Sequence, residues 1–242
     1  MNREIFLVSS PFSELGKPLN PSNKFVERLR KSLKGVKKAL FITSDPDNIN
    51  FTEDFSFAIK ETMRITGIEF EEYRILDNRN YEMADELIVD AEFIILAGGH
   101  VPTQNRFFQK IKLREQIQNH KGVILGISAG TMNSADIVYA QPEMEGEAVD
   151  PIYQKFIQGL NLTKYMILPH YQETKNNVLD GKQLFEDVTY LDSYGREFYA
   201  LPDGSYLHSK DGVEKICGEA YLIKDGTCTK ICIHGAEILL KQ

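Results

Sequence analysis

Short strand-like runs separated by stretches of helical periodicity constrain this chain more than any other feature. Ile5–Ser9, Ala39–Thr43, Phe93–Ala97 and Val123–Leu125 are apolar and β-rich, and residues 69–76 alternate in the manner of a strand. Between them, Phe25, Val26, Leu29 and Leu33 share one face of a helix that stops at Gly35. Phe55, Ala58, Ile59 and Met63 mark a second helix over 54–66, ended by Gly67. Tyr81–Val89 reads as a third helix and 103–118 as a fourth, with Phe107, Phe108, Ile111, Leu113 and Ile117 packed inward. Strands alternating with helices give an α/β fold in three layers: a mostly parallel sheet with helices on both faces and right-handed crossovers. Ligands of such sheets bind beyond the carboxyl ends of the strands, where the strand order reverses.

That rule directs attention to two glycine-bearing strand ends. Lys121–Thr131 runs from an apolar strand into Gly126-Ile-Ser-Ala-Gly130 and then into a helix. A serine at a strand-to-helix turn, with glycine two positions to either side, has the form of a nucleophile elbow. The hydroxyl of Ser128 then stands clear of the sheet, and the N–H of Ala129 points toward the same place, where it can meet a developing oxyanion. The apolar strand before it in the chain ends in Gly98-Gly99-His100, and if the two strands are neighbours an N–H of Gly98 or Gly99 is suited to face that oxyanion from the other side.

A serine nucleophile needs a base. His170 ends the apolar segment Met166-Ile-Leu-Pro-His170 and is expected on the same rim as Ser128; His100 competes for the role. His120, His208 and His234 fall at a helix end or in outer hairpins. The base needs a carboxylate to orient it, for which Asp203 and Glu143 are both candidates. From residue 198 onward the pattern changes to short strands punctuated by Asp203-Gly204, Asp211-Gly212 and Asp225-Gly226, each expected to turn a hairpin. The expected organisation is one α/β domain over 1–242, with 198–242 a β-hairpin extension of it.

Composition narrows the function. The net charge is −7, and Lys31–Lys38 is the densest basic stretch, too short to track a phosphate backbone, so no nucleic-acid partner is expected. No apolar run reaches membrane-spanning length, and the first ten residues read as a strand rather than a signal peptide. Cys217, Cys228 and Cys232 form no C-x-x-C pair and suit a reducing cytoplasm; no metal site is expected.

Four blocks, taken together, resemble the serine peptidase family of peptidase E (α-aspartyl dipeptidase) and cyanophycinase. They are Ile94-Ile-Leu-Ala-Gly-Gly99, Gly126-Ile-Ser-Ala-Gly130, Leu168-Pro-His170 and Ala200-Leu-Pro-Asp-Gly204, in that family's order from about residue 38 onward. The resemblance implies a class I glutamine amidotransferase-like, flavodoxin-like fold with serine in place of the amidotransferase cysteine. It implies Ser128 as nucleophile, His170 as base, Asp203 as carboxylate where the dipeptidase carries glutamate, and Gly99 and Ala129 lining the oxyanion hole. Glu143 falls where the dipeptidase has an aspartate near the active site. Lys175 stands in place of an arginine that reads the N-terminal aspartate of the substrate; lysine offers a point charge in place of a planar fork.

The expected protein is therefore a cytoplasmic serine peptidase, monomeric or homodimeric and needing no cofactor. It would hydrolyse small peptides, dipeptides with N-terminal aspartate among them, through an acyl-enzyme. Another amide or ester hydrolase on the same site, or a non-catalytic amidotransferase-like binding domain, is the alternative.

Overall fold

Successive residues of the buried strands enter opposite cores, which is why their sequences read as continuous apolar runs. The computed structural model describes residues 3–14 and 16–240; the expected domain limits at Met1 and Gln242 lie outside them. Its first half runs β1 (Glu4–Val8), α1 (Phe25–Ser32), β2 (Lys38–Ile42), α2 (Ile49–Ile65), β3 (Glu72–Leu76), α3 (Ala84–Asp90), β4 (Phe93–Leu96), α4 (Val101–Lys110), α5 (Leu113–Ile117), β5 (Val123–Ile127) and α6 (Ala129–Met132). Phe6, Phe41, Phe93 and Leu125 pack on one side with Phe25 and Leu29 of α1 and Ile59 and Met63 of α2. Leu7, Leu40, Ile94 and Ile124 pack on the other with Leu87, Phe107, Phe108 and Ile117 of α3 to α5.

The helix expected over 103–118 is two helices. Its apolar positions lose helical phase between Ile111 and Leu113, and a left-handed residue at Lys112, φ 52°, restarts the chain so that both segments bury their faces.

Strands β3, β2, β4, β5 and β1 lie in that order and parallel, so the carboxyl ends of β2 and β4 sit side by side where the order reverses, next to β5. β6 (Ile137–Tyr139) and β7 (Phe156–Gln158) form a separate ribbon. β8 (Met166–Leu168) leads through α7 (Tyr171–Thr174) to the short hairpin of β9 (Val178–Leu179) and β10 (Lys182–Gln183). After α8 (Tyr190–Asp192) come β11 (Glu197–Ala200), β12 (Tyr206–Lys210), β13 (Val213–Cys217), β14 (Ala220–Lys224), β15 (Thr227–Cys232) and β16 (Glu237–Leu239).

These later strands divide between two sheets. β12, β13 and β16 extend the central sheet from β1 in antiparallel fashion, whereas β8, β11, β14 and β15 make a second sheet in which β8 and β11 run parallel. The segment ending at His170 thus belongs to this second sheet and not to the central one. Asp211-Gly212 and Asp225-Gly226 turn hairpins with positive φ at both residues, as their chemistry demands. Asp203-Gly204 does not: it carries the chain from β11 across to β12, from one sheet to the other. A third buried cluster, including Met132 of α6, Leu168, Tyr171, Phe185 and Phe198, fixes the second sheet against the segment after β5. Within it the rings of Tyr139 and Phe198 stack 4.3 Å apart. Among the described residues no helix is long and apolar enough to cross a membrane.

Candidate active site

Ser128 follows β5 with φ 49° and ψ −108°, a backbone conformation strained for any residue with a side chain. The surroundings enforce it. Its N–H donates to the Val8 carbonyl at 3.1 Å, Gly130 N–H donates to the Ala97 carbonyl at 3.1 Å, and the Thr131 hydroxyl lies within hydrogen-bond reach of the Val8 and Gly126 carbonyls. The two flanking glycines allow this crossing. A Cβ on Gly130 would stand 2.3 Å from the Leu96 oxygen, and one on Gly126 would stand 3.0 Å from the Gly130 backbone.

The second sheet brings the other side chains to this turn. His170, just beyond β8, places Nε2 2.9 Å from the Ser128 hydroxyl and Nδ1 2.8 Å from Oδ1 of Asp203. β8 and β11 are parallel neighbours, so the residues after them, His170 and Asp203, emerge on one rim. Ser9, at the end of β1, joins the two sheets: its hydroxyl donates to Asp203 at 2.7 Å and accepts the backbone N–H of His170 at 2.7 Å. Gln172 closes the network, donating to the other Asp203 oxygen at 2.7 Å and accepting the Asp203 N–H at 2.9 Å.

Burial alone would raise the Asp203 carboxyl, but the hydrogen bonds from His170, Ser9 and Gln172 outweigh it and hold the group below its ordinary value. Burial likewise works against imidazolium at His170. The hydrogen bond and charge of Asp203, with the charges of Glu173 and Glu143, reverse that and raise its pKa.

Opposite Ser128 lie Gly98 and Gly99. The Ser44 hydroxyl donates to the Gly98 carbonyl at 2.5 Å, and a Cβ on Gly99, whose φ is 149°, would collide with Ser44. Because the peptide is trans, anchoring its carbonyl on Ser44 turns the Gly99 N–H the opposite way. No described residue accepts a hydrogen bond from the N–H of Gly99 or of Ala129.

A cavity of about 300 Å³ opens beside Ser128 and His170, with Glu143 on its wall. A larger one, of about 430 Å³, lies around His120 and Gly122 at the amino ends of the strands, the wrong end for a ligand of such a sheet. Glu143 makes no hydrogen bond to His170; Asp203 is the carboxylate that touches it. His100 does not join the triad geometry either: it binds Thr103 through Nδ1 and Glu147 through Nε2, each at 2.8 Å. Lys175 is exposed at the end of α7 and does not line the cavity. Among the described residues, His170, Glu173 and Asp203 could bring metal-ligand atoms within 4.8 Å of one another, but His170 and Asp203 already bind each other.

Ser9, Gln172 and Ser44 are the contributors that sequence patterns did not single out. The one available signal was position: Ser9 and Ser44 each follow a parallel strand on the rim that carries Ser128.

Three comparisons bear on this arrangement. The family model for peptidase family S51 matches residues 6–216. The crystal structure of a Listeria monocytogenes EGD-e protein, provisionally named a peptidase E protein, superposes with a TM-score of 0.60 at 15% identity, covering 96% of this chain and 100% of that one. No curated protein matches by sequence.

Proposed function

The chain belongs to peptidase family S51 and is a serine-type peptidase, and from that premise we propose that Ser128, His170 and Asp203 are its catalytic triad. The observation that carries this reading is the unbroken line of hydrogen bonds from Ser128 through His170 to Asp203, starting from a serine held in a strained turn. In the first half-reaction the Ser128 oxygen bonds to the scissile carbonyl carbon while its proton passes to His170 Nε2. Asp203 holds Nδ1–H and stabilises the imidazolium. The negative oxygen rests on the free N–H groups of Gly99 and Ala129. Collapse breaks the C–N bond as Nε2 returns the proton to the leaving amine. Water, activated by the same base, then releases the acyl group and regenerates the serine.

Small peptides are the substrate class. For the residue seated in the cavity, the resemblance to peptidase E implies aspartate, whereas the charges around the cavity favour a cation. Labelling with a fluorophosphonate tests the triad directly: the wild type should be modified at Ser128 and the His170→Ala variant should not. An unlabelled but folded wild type would support a non-catalytic binding domain. Cleavage of simple esters with all peptides left intact would support another hydrolase on this site.

A further inference from the structure

We propose that Glu143 receives the basic side chain of a lysine or arginine on the acyl-donating residue, an inference that rests on the peptidase reading of the site. The cavity beside Ser128 is lined by Met132, Pro142, Val178, Leu179 and Leu184, apolar walls that suit the methylene stem of a long side chain. Glu143 is the acidic group on that wall, and no lysine or arginine lines the cavity.

The backbone of Glu143 is fixed while its carboxylate is free. Glu147 accepts the N–H of Glu143 at 2.8 Å and of Met144 at 3.0 Å and is itself held by His100; Asp180 accepts the N–H of Gly146 and of Ala148. No described residue hydrogen-bonds or ion-pairs with the Glu143 carboxylate. A rigid loop thus presents an uncompensated acceptor, arranged as a cation subsite requires.

The surrounding field has the same sign. Crowding by protein, and then the charge of Glu147, push the Glu143 carboxyl up to about 7, offset in part by His170. Its solvent contact screens part of both effects. A substrate ammonium or guanidinium would relieve the repulsion, whereas an aspartate side chain would add a further negative charge. Lys175, the residue expected to attract such an aspartate, stands outside the cavity.

Calorimetric titration of the Ser128→Ala variant with the dipeptides Lys-Ala, norleucyl-Ala and Asp-Ala isolates the side chain, because all three share the same α-ammonium group. Lys-Ala should bind roughly tenfold more tightly than norleucyl-Ala, Asp-Ala should bind most weakly, and Glu143→Gln in the same background should remove the preference for lysine. Equal affinities for lysine and norleucine, tighter binding of Asp-Ala, a lysine preference that survives Glu143→Gln, or no binding at all would each overturn the proposal. The peptidase reading fails separately, through absence of fluorophosphonate labelling in the wild type.

Discussion

The Ser9 hydroxyl donates to the Asp203 carboxylate at 2.7 Å across the seam between two sheets, while accepting the His170 backbone N–H at the same distance. Ser9 does not touch His170's ring or Ser128. Its effect on the reaction runs through the position and charge of the groups that do. Ser9→Ala should lower kcat/KM by about tenfold, the scale of a hydrogen bond to a charged acceptor, mainly through kcat. With one donor lost, the Asp203 pKa should rise, and the pH–rate profile should shift with it. An unchanged kcat with a raised KM would contradict this positioning role.

The base works only as neutral imidazole, so activity should fall as pH drops through the raised pKa of His170, above its ordinary value of about 6.5. Glu143 contributes to that elevation. Glu143→Gln removes a negative charge and should therefore move the acid limb of the kcat/KM profile to lower pH; an unmoved limb would show that the charge is not felt at His170.

Backbone strain at Ser128 gives a stability prediction. Alanine keeps the side chain that makes φ 49°, ψ −108° unfavourable, while glycine relieves it. Ser128→Gly should be more stable than Ser128→Ala by about 1 kcal/mol in denaturant unfolding, both variants being inactive.

Gly130 predicts the opposite sign. Its conformation is ordinary, but a Cβ would press on the Leu96 carbonyl at 2.3 Å, and that is rigid backbone inside the central sheet. Gly130→Ala should cost roughly 2–4 kcal/mol, measurable as a lower denaturation midpoint.

The layered architecture was legible because Phe6/Leu7, Leu40/Phe41 and Phe93/Ile94 leave no polar face for solvent, and only a sheet covered on both sides accommodates that. Ser128, His170 and Asp203 were each marked by a local signal: a glycine bracket, a strand end, a strand-end acid. Their meeting was not, because nothing local in Leu168-Pro-His170 tells whether its strand joins the central sheet or starts another. The Asp203-Gly204 pair misleads for the same reason. Its residue types suit a hairpin, and only the destination of the following strand distinguishes a turn from a crossing between sheets. Ser9 carried only the signal of its position after a parallel strand, and Gln172 carried none, since a single hydroxyl or amide acquires its partners only from tertiary structure.

The two-sheet origin of the site has a kinetic consequence. Ser128 and His170 are separated by 42 residues, Ser9 and Asp203 by 194, so these contacts close large loops of chain. Such contacts pay their loop-closure entropy before they return any stabilisation. In refolding from denaturant, the helical signal, which needs only local contacts, should therefore recover before fluorophosphonate reactivity, which returns only when the second sheet docks.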